Sequence, residues 1–272
     1  MKKGLLKFIS VTAVAVMCAS ALAGCGNTNT AKKTDSEKTP ASDKKETLVM
    51  GTNAEFQPFE FVVSGSEGLV GEFDGIDVAI AKNIADKEGK ELKIENMQFD
   101  GLIAALSSGK VDFVAAGMTA TEERKKNVDF SDTYYVASQV IVTGADNTDI
   151  TKAEDLKNGK TVGVVLGYTG DSVVTEDLAV PEDKITRANR GIDLVQDVKN
   201  GKLDAVVIDS ATGKALAEKN GLKVVEDAEA FETEEYAIAV KKGNTELLDK
   251  INKTLSEMKA NGEIDKLAEK YN

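Results

Sequence analysis

Apolar positions along the chain follow two rhythms. Short runs, Leu48-Val49-Met50, Leu92-Lys93-Ile94, Val162-Gly163-Val164-Val165 and Ala205-Val206-Val207-Ile208, read as strands. Between them Ile76, Ala79, Ile80, Asn83 and Ile84 recur at the spacing of one helix face, and Leu102 to Ser108 predicts a short helix. Strands alternating with helices predict an α/β fold, a parallel sheet with helices on its faces. Towards the end Leu247, Leu248, Ile251, Leu255 and Met258 keep helical spacing up to Gly262, a suitable C-cap. Ile264, Leu267, Ala268 and Tyr271 then predict a last helix.

The first 46 residues break both rhythms. Lys2, Lys3 and Lys7 flank a mainly apolar stretch, Leu5 to Ala23, too short and wrongly bordered for an ordinary membrane span, so residues 1–24 are expected to be an export signal. It closes on Leu22-Ala23-Gly24-Cys25, which resembles the lipobox of bacterial lipoproteins, where the signal is cut before the Cys and that Cys receives lipid. An ordinary secretory signal with a Cys beside it is the alternative. Residues 25–46 carry charges of both signs and almost nothing larger than Ala to bury, which predicts a flexible tether for a body held near a membrane.

Composition removes whole classes of chemistry. The 272 residues include no His, no Trp and two Cys, Cys18 and Cys25. No His nucleophile system, His-ligated metal or His general base can form, and loss of the signal leaves Cys25 without a disulfide partner. The 46 acidic against 34 basic residues give a formal charge of −12, the wrong sign for a nucleic-acid partner. No cofactor or metal site is expected.

One segment recurs. Ser108-Gly109-Lys110-Val111-Asp112-Phe113-Val114-Ala115 returns as Asn200-Gly201-Lys202-Leu203-Asp204-Ala205-Val206-Val207, each between a predicted helix and a strand. This is either common helix-to-strand loop chemistry or a repeated unit, and both suggest two similar α/β halves. In that register Gly117 and Asp209 are equivalent, just past the carboxyl ends of their strands, where ligands bind in open α/β sheets.

Longer motifs carry a family resemblance. Gly75-Ile76-Asp77-Val78-Ala79-Ile80-Ala81 is followed by Ala116-Gly117-Met118-Thr119-Ala120-Thr121-Glu122-Glu123-Arg124-Lys125-Lys126, then Val128-Asp129-Phe130-Ser131-Asp132, then Val164-Val165-Leu166-Gly167-Tyr168-Thr169-Gly170-Asp171. From about Thr47 to Asn272 the chain resembles the polar-amino-acid family of bacterial ABC-transporter substrate-binding proteins. The resemblance implies a two-lobed periplasmic-binding-protein-like fold with the ligand cleft between lobes. Lobe one would hold residues 47–133 and 237–272, lobe two 139–231, with a hinge at 134–138 and 232–236; closure of such proteins around ligand is a known switching device. It also implies a monomeric extracytoplasmic receptor that captures a free L-amino acid and delivers it to a membrane permease driven by a cytoplasmic ATPase. The chain departs from relatives at Ala79, where an acid is usual, at Val165, where many are polar, and at Tyr168, where Thr is usual.

A free amino acid is a zwitterion, and the candidate residues answer its two charges. Arg124 suits the carboxylate, because a guanidinium fork pairs both oxygens at once, with Thr119 and the Gly117 backbone as further donors. Outside the motif it would be one more surface cation among Glu122, Glu123, Lys125 and Lys126. Asp209 suits the ammonium; an N-cap for the following helix is the alternative. The turn Gly167-Tyr168-Thr169-Gly170-Asp171 offers backbone N–H groups at a helix start. By the resemblance, Phe56, Phe99, Val165 and Tyr168 line the ligand side chain and Asn53 meets its distal group. These supply amide, phenol and apolar surface without an acid, so a neutral polar amino acid is favoured over Lys or Arg. Glu55, if turned inward, would reverse that preference. Glu60 and Asp77 read as structural. A dehydratase-like enzyme on the same scaffold would need an acid or base aimed at a reacting atom, which no motif supplies. A sensor would need a second membrane segment or a signalling domain, and none is read in the sequence.

Overall fold

The structure, a computed structural model, describes residues 45–271; the expected signal 1–24, Cys25 and the tether up to residue 44 lie outside the described residues. Two five-stranded sheets organise it. The first runs Glu91–Asn96, Thr47–Thr52, Phe113–Val114, Ala239–Lys241, Val128–Phe130, and the second Ile185–Ala188, Val162–Val165, Ala205–Asp209, Gln139–Thr143, Lys223–Val225. The two orders are the same. In each, the first strand lies parallel between the second and third, and a strand arriving from the other half enters antiparallel between the third and fourth. The strands Val162–Val165 and Ala205–Asp209 are buried at every residue, which is why they read as continuous apolar runs instead of alternating ones.

The recurring segment has the same task in both sheets. Gly109 and Gly201 turn the chain out of their helices at φ +77° and +70°, a conformation open to glycine at no steric cost. Three residues on, Asp112 accepts from the Val49 N–H at 2.7 Å and Asp204 from the Thr161 N–H at 2.7 Å. Each Asp returns its own N–H to the carbonyl of that same residue, at 2.8 and 3.0 Å. The loop therefore registers the third strand against the first, and the repeat is one of structure as well as of letters.

The helix Ile76–Lys87 buries Ile76, Asp77, Val78, Ile80, Ala81, Ile84 and Ala85. The expected face included Ala79 and Asn83, which are only half-buried. Asp77 is drawn inward because its carboxylate has buried partners, described below. The C-terminal helices Thr245–Ala260 and Glu263–Tyr271 cover this helix, with Gly262 between them at φ +70° as expected of a helix stop. Tyr135–Ala137 and Glu234–Tyr236 pair antiparallel, so the two stretches by which the chain passes between the sheets run side by side. Among the described residues no helix is long and apolar enough to cross a membrane, and no cluster of His, Cys, Asp and Glu could hold a metal ion.

Candidate functional site

The carboxyl ends of the third strands meet across a small pocket. The first half contributes Phe56, Phe99, Gly117, Thr119 and Arg124, the second Tyr168, Thr169 and Asp209, around a narrow cavity of about 10 Å³. Eight of the ten residues expected to bind ligand line this pocket.

Arg124 lies on the short helix Glu122–Lys125, whose cap, the Thr121 hydroxyl, accepts the Arg124 N–H at 3.2 Å. Its guanidinium donates to the Thr119 carbonyl at 2.9 Å and to the Gly167 carbonyl at 3.0 Å, and lies 5.1 Å from the centre of the Phe99 ring. One side chain thus ties both halves and keeps donors to spare, two of about five N–H groups being used. Burial lowers its pKa from the ordinary value, while Asp209 and Glu234 raise it. The surface alternative does not hold.

Asp209 ends its strand and stands at the N-cap position of the helix Ser210–Asn220, yet its carboxylate makes no cap bond. It accepts the Tyr236 hydroxyl inside the pocket wall. Burial, then the charge of Glu234, pushes its pKa up to about 7, although the bond from Tyr236 pulls the other way.

Gly117 requires correction as a donor. Its N–H is already given to the Asp77 carboxylate at 2.8 Å, and the same oxygen accepts the Tyr134 hydroxyl at 2.7 Å. What the position demands is the absence of a side chain: at φ +51°, a Cβ would stand 2.4 Å from Phe56 Cε1. Behind it, burial first, offset by the bonds from Gly117 and Tyr134, raises the Asp77 pKa to about 6. Glu60 is pushed well above its ordinary value, by burial first and then by the charge of Asp77. Both Glu60 carboxyl oxygens and Asp77 Oδ1 are buried there without a hydrogen-bond partner among the described residues. Neither acid lines the pocket.

Val165 also requires correction. It is buried at the end of its strand in the core, where a side chain on Gly191 would approach it, and it does not line the pocket. It packs in the same apolar cluster as Phe56 and Tyr168, behind the pocket wall. Asn53 reaches the pocket only through Tyr168, whose hydroxyl donates to its Oδ1 at 3.0 Å. Glu55 does not turn inward: it pairs with Arg190 of the other half at 3.2 Å.

With this geometry in hand, comparison with known proteins is decisive on family. The family model of bacterial extracellular solute-binding proteins, family 3, matches residues 48–272. The chain belongs to that family. Along its whole length this family 3 protein is 40% identical to the arginine-binding extracellular protein ArtP of Bacillus subtilis (strain 168), covering 100% of the chain and 98% of ArtP. It is 30% identical to the L-cystine-binding protein TcyJ of Escherichia coli (strain K12), over 99% and 95% of the two chains. A solved ancestral arginine-binding protein bound to glutamine superposes at TM-score 0.75 with 46% identity, over 84% of this chain and 98% of that one. The family 3 protein is thus a two-lobed α/β amino-acid-binding protein, and its relatives are named as binding proteins, which points away from an enzyme.

Three residues at the site of this family 3 protein escaped the sequence reading. Glu234 accepts the hydroxyls of Thr119 at 2.8 Å and Thr169 at 2.7 Å and the Gln139 amide at 2.8 Å, while Tyr236 holds Asp209. Glu234 and Tyr236 sit in an acidic run, Glu232-Thr233-Glu234-Glu235-Tyr236, read as a hinge crossing with no part in the site. Only their alternation, with Glu234 and Tyr236 buried and Glu235 exposed, would have hinted at a strand.

Proposed function

We propose that this family 3 protein is the lipid-anchored receptor of an amino-acid ABC importer, holding a free L-amino acid with a neutral side chain between its lobes and handing it to a permease. The observation that carries this is the meeting of Arg124 and Asp209, opposite in charge and from opposite halves, in one pocket. Arg124 takes the ligand carboxylate, helped by the backbone at Thr169, the first residue of a helix. Asp209 takes the ammonium. Thr119 completes the cradle beside them. Residues 47–133 with 237–272 and residues 139–231 move as lobes about the paired segments 134–138 and 232–236, and Cys25 carries the lipid at the end of a tether reaching to residue 46.

The cationic reading draws on the name of the Bacillus subtilis relative, but Glu55, the residue whose inward turn would favour a cation, pairs with Arg190. Calorimetry with serine, glutamine, cystine, arginine and lysine tests the proposal. Arg124→Ala and Asp209→Ala each remove the partner of a buried ligand charge, a loss of about 2–5 kcal/mol, so each weakens binding by roughly 30-fold or more. Unchanged affinity in both variants sinks the assignment.

A further inference from the structure

Resting on the receptor reading, we propose that Tyr168 sets the length of the ligand: it closes the side-chain end of the pocket, and the receptor selects amino acids with short side chains. Once Arg124 and Asp209 hold the two charges, the wall left for the side chain is Phe56, Phe99 and Tyr168. The Tyr168 ring meets both others edge-on, with centroids 5.4 Å from Phe56 and 4.6 Å from Phe99. Its hydroxyl reaches past them to Asn53 Oδ1 at 3.0 Å. Asn53 is 2% exposed and its amide N–H already donates to the Met97 carbonyl at 3.0 Å. The distal end therefore presents a ring in place of free hydrogen-bonding groups.

A short side chain ends before the Tyr168–Asn53 contact and does not require it to open. A long one must lift the phenol off two rings and leave the buried Asn53 oxygen without its donor, a penalty that falls on long ligands alone. The backbone makes the position tunable. Tyr168 is the N-cap residue of the helix Thr169–Ser172 at φ −72° and ψ 161°, and Thr is a favoured N-cap, so Tyr168→Thr removes the ring with the turn intact. A wider groove that shares Arg124 with the pocket but not Tyr168 is lined by Glu123, Glu176, Asp177 and Glu232. A ligand whose side chain ran that way would be indifferent to residue 168.

The test is calorimetry of glycine, L-alanine, L-serine, L-glutamine and L-arginine on the wild type, Tyr168→Thr and Tyr168→Phe, each first shown folded by thermal unfolding. In the wild type alanine or serine binds at least tenfold tighter than glutamine and arginine, the scale of discrimination a pocket wall provides. Tyr168→Thr shifts that ratio at least tenfold towards the longer ligands, and Tyr168→Phe, which keeps the ring, keeps the short-first order. Glutamine or arginine binding tightest to the wild type overturns the proposal, as does an unchanged order in folded Tyr168→Thr. If Tyr168→Thr does not fold, the wild-type order and Tyr168→Phe still decide. Absence of binding by every amino acid defeats the receptor reading instead, so the two failures are distinct.

Discussion

Residues 108–117 and 200–209 are the same device used twice, and they differ where it matters. Both leave a helix through a glycine at positive φ, both tie an Asp to the neighbouring strand at 2.7 Å, and both run into the third strand of a five-stranded sheet. At the tenth position they part: Gly117 offers backbone beneath an aromatic ring, and Asp209 offers a buried carboxylate. A symmetric scaffold thus delivers an asymmetric site, suited to a ligand whose ends carry opposite charges. The scaffold supplies position, and a single side chain at its tip supplies polarity.

The largest effect should come from giving the first half a side chain at its tip. Gly117→Ala combines a left-handed backbone with a Cβ 2.4 Å from Phe56, so urea unfolding should show a loss of roughly 2–5 kcal/mol. A loss below 1 kcal/mol would mean that Phe56 yields freely and the close approach is not required.

Next is protonation. Asp77, raised from 3.8 to about 6, keeps its proton in the native state where the unfolded chain releases it. The ligand-free protein should therefore lose stability as pH rises from about 4 to 6, by about 3 kcal/mol from this residue, and Asp77→Asn should flatten that slope. Asp209 gives the matching signature in binding. Because an ammonium ligand pairs with its ionised form, affinity should fall about tenfold per unit as pH drops below about 7, with proton release on binding. Calorimetry in two buffers of different ionisation heat measures both, and a flat profile would remove Asp209 as the ammonium partner.

The smallest effect tests the symmetry itself. Asp112→Ala and Asp204→Ala each delete a charge-assisted bond to a strand N–H and should each cost about 1–2 kcal/mol. The second should be larger, since Asp204 also accepts the Thr161 hydroxyl at 2.8 Å. A loss at one site alone would show that the two loops are alike in sequence without sharing a task.

Much of this was legible in the chain. The alternation of short apolar runs with helical spacing announced the α/β fold, because fully buried parallel strands need no polar face. The repeated Gly-Lys-x-Asp announced two halves, because a left-handed turn followed by a capping carboxylate is a local requirement. Arg124 stood out through its motif, and the register of the repeat put Gly117 and Asp209 at equivalent strand ends.

What the sequence alone determined is therefore local: element type, the two strand-end loops, and the two opposite charges near them. Tertiary structure decided everything that depends on which face a side chain takes once distant segments meet. Thr119 and Glu234 are 115 residues apart, as are Asn53 and Tyr168, and no period along the chain encodes their contact. The same packing turned Val165 into the core, sent Glu55 to Arg190 across the cleft and committed the Gly117 amide to Asp77. Burial is a property of the assembled fold, and so is the pKa of Asp209: a carboxylate that reads as an ordinary acid in sequence titrates near neutrality only because two sheets close around it.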